Sequence, residues 1–167
     1  MTGGSKFTAP WSTSLLLTTV LSGLLVVGIA LIGIIVIAPL SLVWGMVESA
    51  LALLPLAVAA LFAIRGYVLT PDSLYVQRLG WHTELPLATL QTVQFDPEAT
   101  SGSVRIFGNG GLFCFAVTFA NDRLGTYRAF GTDRTHAVVL KFAERTVVIT
   151  PGDPQDFVAQ IKEFRNL

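Results

Sequence analysis

Hydrophobic positions along this chain follow two different patterns. Residues 15–37 contain only Leu, Val, Ile, Ala, Thr, Ser and Gly, and residues 42–64 form a second apolar stretch that contains Glu48 and Pro55. A helix over residues 15–37 measures roughly 34 Å at about 1.5 Å per residue, which is enough to cross a hydrocarbon core about 30 Å thick. Pro39 lies in the short link. The pattern therefore predicts a helical hairpin that spans a membrane twice.

Residues expected at the membrane surface flank both predicted helices. Trp11 precedes the first helix, and Trp44 lies near the turn that links the two helices. Tryptophan rings commonly lie where the hydrocarbon core of a membrane meets water. Glu48 has no ionisable partner in either span, so we expect it to reach the headgroups rather than to form part of an ion path. Arg65 follows the second span and completes the predicted interface set.

The few charges near the spans predict an orientation. Lys6 precedes the hairpin, Arg65 and Arg78 follow it, and the link carries no Lys or Arg. The positive-inside tendency therefore places both chain ends on the cytoplasmic side. A cleaved signal peptide is the alternative, but the first run exceeds the usual apolar core of about 7–15 residues and a second run follows closely.

After residue 65 the pattern changes to an alternation of apolar and polar positions, with turn signals at short intervals. Phe113, Phe115, Val117 and Phe119 illustrate the alternation, because every second residue of a strand lies on the same face. The pattern predicts strands at residues 67–70, 74–79, 82–85, 91–95, 103–107, 112–119, 126–131, 137–143 and 146–149.

One amphipathic helix is predicted near the end of the chain. Asp153 suits its N-cap and Pro154 its first position, and Phe157, Ile161 and Phe164 lie on one stripe. Strands in series followed by one helix predict a curled antiparallel β-barrel whose open end the helix covers. The predicted organisation is a tail over residues 1–13, a helical hairpin over 14–65 and a β-domain over 66–167.

Composition and charge narrow the class of protein. The chain of 167 residues is 52% hydrophobic and 13% charged, which is more apolar than an ordinary soluble domain. Lys and Arg together number 11, as do Asp and Glu, and no basic run occurs, which argues against a nucleic-acid-binding face. Cys114 is the single cysteine, so an intramolecular disulfide and a cysteine-rich zinc site are excluded.

Three pieces of sequence occur in a recognisable order. They are Phe-Gly-Asn-Gly-Gly-Leu-Phe at residues 107–113, a strand with an Asn-Asp turn and Leu-Gly-Thr-Tyr at 119–127, and Ile-Thr-Pro-Gly-Asp-Pro-Gln-Asp-Phe at 149–157. Over roughly residues 66–164 the chain resembles a bacterial family of pleckstrin-homology-like (PH) domains. The resemblance implies two curled sheets capped by a C-terminal helix, often beside membrane spans, and thus a membrane-anchored member at the bacterial inner membrane. It implies no particular activity.

Phosphoinositide binding is not expected, although eukaryotic relatives of the resembled family often show it. Those relatives bind through Lys and Arg on the first hairpin loop. The corresponding loop here, residues 69–75, carries one aspartate and no cation.

The glycine run at residues 108–111 is expected to form a hairpin turn rather than an anion-binding loop. A phosphate loop of the strand–loop–helix kind needs a helix behind it, whereas residues 112–119 alternate as a strand. Asn-Gly between two apolar runs favours a tight turn, because both residues accept positive φ.

No catalytic, cofactor-binding or metal-binding set is expected. His82 and His136 are far apart in sequence and lack a recognisable nucleophile or carboxylate partner. Two histidines and scattered acids do not form a convincing metal set, and Cys114 is expected to be a small core residue.

The leading hypothesis is a scaffold or accessory subunit that binds a protein partner in a membrane complex, or a second copy of itself. The alternatives are a sensor of anionic lipid headgroups that uses Arg65, Arg78 and Arg105, and, as a third reading, a membrane enzyme. The candidate contacts to a partner or to lipid are Trp81, His82, Arg105, Phe107, Asn109 and Phe113.

Overall fold

The computed structural model describes residues 4–165, except for the side chains at positions 109 and 110. Helix α1 spans Thr13–Ile32 and continues as a π-helical segment over Gly33–Ile37. Helix α2 spans Leu42–Leu61, and α3 spans Pro154–Arg165. The strands are β1 Ser5–Thr8, β2 Gly66–Leu69, β3 Ser73–Gln77, β4 His82–Pro86, β5 Leu90–Phe95, β6 Val104–Leu112, β7 Cys114–Asn121, β8 Gly125–Gly131, β9 Val138–Phe142 and β10 Thr146–Ile149.

The first two helices have the length and composition of membrane spans. Helix α1 with its π-helical segment covers 25 residues, and α2 covers 20. Their apolar side chains face outward rather than into a protein core, as Leu21 and Leu25 show with exposed fractions of 65% and 67%. Pro39 lies in the turn between them, where the lack of an amide hydrogen suits the end of a helix. The predicted pair of long apolar helices is confirmed.

Close contacts near the far turn set the antiparallel register of these helices. A Cβ at Gly45 would lie 2.7 Å from atoms of Ala38, so only a glycine allows this approach. The Ser49 hydroxyl donates a hydrogen bond of 2.9 Å to the carbonyl oxygen of Ala30. Both contacts bring together residues on opposite sides of the turn.

The strands form two sheets, one of them mixed. Strands β1-β2-β3-β4 form an antiparallel sheet in that order, and the second sheet has the order β5-β9-β10-β8-β7-β6. The β9–β10 hairpin lies between β5 and β8, so β10 runs parallel to β8, with Val147 opposite Arg128. The prediction of an antiparallel domain is therefore wrong at this pair.

The prediction of a curled β-barrel is also wrong, because the two sheets do not close into a barrel. No described strand of one sheet pairs with a strand of the other. The first sheet ends at Pro86, which has no amide hydrogen to continue the ladder, and the Leu87 amide donates to the Asp72 carbonyl oxygen at 2.8 Å. The chain then crosses to β5 of the second sheet, and the edges of the two sheets stay open.

Strand β1 lies in the segment that the sequence indicated as a tail. It pairs antiparallel with β2, with Lys6 opposite Val68. Its Phe7 is buried, and the ring centres of Phe7 and Phe157 are 4.9 Å apart in an edge contact. The chain therefore contributes to the same sheet immediately before and soon after the helical hairpin.

Helix α3 covers the main core between the sheets. The side-chain oxygen of Asp153 accepts a hydrogen bond of 3.1 Å from the Asp156 amide, and Pro154 is the first helical residue. Phe157 and Ile161 are fully buried, and Phe164 packs against the core from its edge. The predicted C-terminal helix, its cap and its apolar stripe are confirmed.

Candidate functional site at the helix–sheet junction

Side chains of the β-domain bind the last carbonyl groups of α2. The Trp81 indole donates to the Leu61 carbonyl oxygen at 2.8 Å, and the Arg78 guanidinium donates to that of Phe62 at 2.6 Å. The Cys114 thiol donates to the same Phe62 oxygen at 3.1 Å. The end of a helix leaves carbonyl groups without intrahelical partners and carries partial negative charge. The domain thus supplies both the missing donors and a positive charge.

Arg78 is buried in an aromatic cage at this point. Only 6% of it is exposed, and its guanidinium carbon lies 4.7 Å from the ring centre of Trp81, 5.5 Å from that of Phe130 and 5.8 Å from that of Phe62. Its Nε atom donates to the Thr83 hydroxyl at 3.3 Å. Burial lowers the pKa of the guanidinium, and the helix end and the ring faces offset the cost of burying this charge.

Cys114 serves this junction as a hydrogen-bond donor. The side chain is buried, and burial raises the pKa of the thiol, an effect that the neighbouring Arg78 partly opposes. The thiol therefore stays protonated at neutral pH and keeps its hydrogen for the Phe62 carbonyl oxygen.

The first turns of α1 are bonded to the same domain. The Ser12 amide donates to the Thr132 carbonyl oxygen at 3.2 Å, and the Ser12 hydroxyl caps the helix by accepting from the Leu15 amide at 3.2 Å. Further along, the Phe113 amide donates to the Thr19 hydroxyl at 3.1 Å. Both helices are therefore fixed to the domain by hydrogen bonds as well as by the chain.

A network of buried hydroxyl groups links β2 of the first sheet to β8 of the second sheet. The Tyr67 hydroxyl donates to the Phe130 carbonyl oxygen at 2.7 Å and accepts from the Thr150 amide at 3.2 Å. The Thr150 hydroxyl in turn accepts from the Thr132 amide at 2.8 Å. Burial raises the pKa of Tyr67 to about 12, although its hydrogen bonds with Thr150 lower it somewhat. These hydrogen bonds connect Thr132, which binds Ser12 at the start of α1, to Tyr67 in the core of the domain.

The glycine run lies within a strand, so the predicted turn at residues 108–111 is wrong in position. Strand β6 continues through the glycines to Leu112, which pairs with Cys114 across a turn at Phe113. We call β6, Phe113 and β7 the glycine hairpin. Phe113 has φ of +62°, which a non-glycine residue adopts at a cost. Its amide hydrogen bond to α1 stabilises this conformation, and no pattern in the local sequence indicates it.

Gly108 is required for the shape of this hairpin. Its φ is +117°, and a Cβ at this position would lie 2.7 Å from the Ala116 carbonyl oxygen of the facing strand. The register of β6 against β7 shifts on either side, between Arg105 and Phe107 and between Gly110 and Leu112. These irregularities bend the hairpin, and its turn at Phe113 contacts α1.

The structure brings several of the predicted contact residues together at this junction. Trp81 binds the end of α2, and the Trp11 and Phe113 rings meet edge to face with centres 6.2 Å apart. Phe107 borders a groove beside α2 and is 81% exposed. Arg65 joins α2 to β2, and its amide donates to the Gln77 carbonyl oxygen at 2.9 Å.

Other predicted residues lie elsewhere. His82 is exposed on β4, with its ring centre 5.3 Å from that of Tyr75, and Arg105 is exposed on β6. Trp44 and Glu48 lie near the far turn of the helical hairpin, where the Glu48 carboxylate contacts Gly33 of the π-helical segment. The side chain of Asn109 lies outside the described residues, and its backbone pairs with Ala116.

Sequence reasoning missed the structural roles of Arg78, Thr19 and Thr132 at the junction. The burial of Arg78 could have been inferred from the sequence. Arg78 lies two residues after Val76 and four after Leu74, both of which are buried, and every second residue of a strand lies on the same face. That alternation places Arg78 on the inward face, whereas its sequence position after the spans had indicated a lipid contact. Thr19 and Thr132 act through contacts with residues far away in the sequence.

The described residues contain no group of three or more His, Cys, Asp or Glu side chains that could hold a metal ion. His136 lies with its Nδ1 atom 3.3 Å from a carboxylate oxygen of Asp133. Asp133 also accepts hydrogen bonds from the Thr135 amide and hydroxyl.

Comparison with protein families gives one match. The family model described as a bacterial PH domain matches residues 65–164. Comparisons with curated proteins and with solved structures gave no match.

Proposed function

This chain belongs to the bacterial PH domain family, and from that premise we propose that it is a membrane-anchored binding module. In this proposal α1 and α2 cross the bacterial inner membrane, and both chain ends and the β-domain lie in the cytoplasm. The domain acts as an accessory or scaffold subunit that binds a protein in the same membrane, and it performs no catalysis.

The observation that carries the proposal is the bonded junction between the helices and the domain. Donors from Trp81, Arg78 and Cys114 bind the end of α2, and Ser12 binds Thr132 at the start of α1. A domain on a loose linker samples many orientations, whereas these contacts hold one. A fixed orientation presents the same surface to every partner in the bilayer, and shared anchoring raises the effective concentration of that partner.

The exposed turn between β3 and β4 is the surface that we assign to the partner. Leu79 and Trp81 are 45% and 42% exposed there, and His82 follows them. The turn lies beside the end of α2, because Trp81 binds Leu61. A membrane protein that packs along α2 can therefore contact this turn at the same time, with aromatic residues of the kind that anchor interfaces.

Photo-crosslinking in cells tests this assignment. A photoreactive amino acid replaces His82 in the full chain, and Thr126, exposed on β8, is the matched control position. We expect a discrete crosslinked product from position 82 and none from position 126, with the partner retained in mild detergent. A chain that purifies alone and gives no product at position 82 contradicts the proposal.

Cysteine labelling tests the orientation. In a Cys114→Ser background, which keeps a donor for the Phe62 oxygen, Leu40→Cys reports on the far turn, where Leu40 is 85% exposed. Glu144→Cys reports on the exposed β9–β10 turn of the domain. A membrane-impermeant maleimide applied to spheroplasts should label position 40 and leave position 144 unlabelled until lysis. The reverse result would place the domain outside the cytoplasm.

A lipid-headgroup sensor is the second candidate, because Arg65 is exposed shortly after α2 and Arg105 is exposed on β6, the strand whose Phe107 lines a groove with α2. Arg78 cannot take part as first expected, since it is buried against α2. If anionic headgroups bind these cations, the full chain should be more stable in nanodiscs of phosphatidylglycerol than in phosphatidylcholine at low salt. Equal stability in both lipids would remove this candidate.

A further inference from the structure

Strand β6 exposes an unusual amount of apolar surface. Val104 is 69% exposed, Ile106 58% and Phe107 81%. The strand is also the outermost one of its sheet. Exposed apolar edges are commonly avoided in domains surrounded by water, so the surroundings of this strand need an explanation.

The glycine hairpin lies beside α1 and α2 and not only beyond their ends. The Phe113 amide binds Thr19, which lies six residues, or about 9 Å, inside α1 from its first residue. The next residue, Cys114, binds the carbonyl oxygen of Phe62 at the end of α2. The hairpin turn is therefore level with the end of the second span.

Phe107 lies beside the last two turns of α2. It lines a groove of about 450 Å³ together with Pro55, Val58 and Phe62. Pro55 lies six residues before the end of α2 at Leu61, again about 9 Å along the helix. The α2 side chains in and beside this groove are themselves exposed, with Val58 at 45% and Leu54, the neighbour of Pro55, at 57%.

We propose that the glycine hairpin inserts into the membrane and that lipid of the cytoplasmic leaflet covers Ile106 and Phe107 and fills the groove beside α2. This inference rests on the proposed function in one respect, namely that α1 and α2 span the bilayer. The occupant is lipid because the groove that Phe107 lines is formed by apolar α2 residues that the span already presents to acyl chains.

The backbone limits the depth of this insertion. Strand β6 is the edge of its sheet, with no described strand beyond it, and an open sheet edge is not tolerated in the dry hydrocarbon core. The headgroup–acyl boundary still offers water and polar headgroup atoms. The hairpin therefore lies at that boundary, and it holds the domain flat against the membrane in addition to the bonded junction.

Depth-dependent fluorescence quenching tests the insertion in the full chain. In the Cys114→Ser background, an environment-sensitive fluorophore is attached to Phe107→Cys or, as a second position, Ile106→Cys. The chain is reconstituted in phosphatidylcholine vesicles that contain phosphatidylcholine spin-labelled on one acyl chain, near the headgroup end in one sample and near the methyl end in a second sample. Leu24→Cys, at a site 65% exposed within α1, is the control for the span, and Glu144→Cys is the control for the aqueous face.

We expect lipid quenching at positions 106 and 107 to be severalfold stronger than at 144, with protection from aqueous iodide. If position 24 is quenched by lipid while positions 106 and 107 are quenched by iodide alone, the insertion is overturned and the anchored module stands. If 106 and 107 are shielded from both quenchers, a protein partner or a second copy covers β6 instead of lipid. If position 24 is not quenched by lipid either, the proposed function fails together with the insertion.

Discussion

Replacing Arg78 by methionine tests whether the domain stabilises the end of α2. The substitution keeps a similar volume in the aromatic cage but removes the charge and the hydrogen bond of 2.6 Å to the Phe62 carbonyl oxygen. A hydrogen bond to a charged group contributes about 1.5–3 kcal/mol. A cation at the end of a helix adds about 0.3–1 kcal/mol.

Two effects reduce the expected loss. Cys114 still donates to the Phe62 oxygen, so that oxygen keeps one partner. Removing Arg78 also removes the cost of burying its charge, which for buried ions amounts to several kcal/mol before compensation. We therefore expect Arg78→Met to lower the free energy of unfolding of the domain by about 1–2 kcal/mol, with Arg78→Lys intermediate because it keeps the charge without the planar fork.

Thermal unfolding of the full chain in detergent, followed by near-ultraviolet circular dichroism, measures this change. For a domain of this size, 1 kcal/mol corresponds to about 4–8 °C in the midpoint. Arg123→Met is the matched control, because the Arg123 side chain is 52% exposed and its ion pair with Asp96, at 2.8 Å, lies at the surface of the domain. Such pairs contribute about 0–1 kcal/mol. Equal midpoints for the Arg78→Met and Arg123→Met variants would refute the assigned role of Arg78.

Three further predictions concern parts of the fold that support the junction. The pKa of Tyr67 is raised from 10.0 to about 12 in the folded chain, so the unfolded chain loses this proton at lower pH. The free energy of unfolding should therefore fall as the pH rises from 10 towards 12. Urea titrations over this pH range should show a shallower decline for Tyr67→Phe. Gly108→Ala should destabilise the glycine hairpin by about 1–3 kcal/mol because of its positive φ and the nearby Ala116 oxygen, and more than Gly125→Ala, where a Cβ meets open space. Phe7→Ala should cost about 3–5 kcal/mol in chemical unfolding if β1 is an integral strand, whereas a negligible change would show that it is dispensable.

The resemblance to bacterial PH domains is confirmed by the family match over residues 65–164. The strand positions also agree closely with the expected ones, because alternation marks each strand locally. The main local disagreement is at the glycine run, where glycines permit both a turn and an irregular strand. The contact between Phe113 and Thr19 decides between these two conformations, and it joins residues that are 94 positions apart.

The sequence by itself determined the elements whose cause is local. The long apolar runs define α1 and α2, and the cap at Asp153 with the spacing of Phe157 and Ile161 defines α3. The tertiary structure alone decided the pairing of β1 with β2 across the helical hairpin, the parallel pair of β8 and β10, and the hydrogen bond from Arg78 to the Phe62 carbonyl oxygen. The physical reason is that these features depend on hydrogen-bonding groups that meet only after the chain has folded, so no short stretch of sequence specifies them.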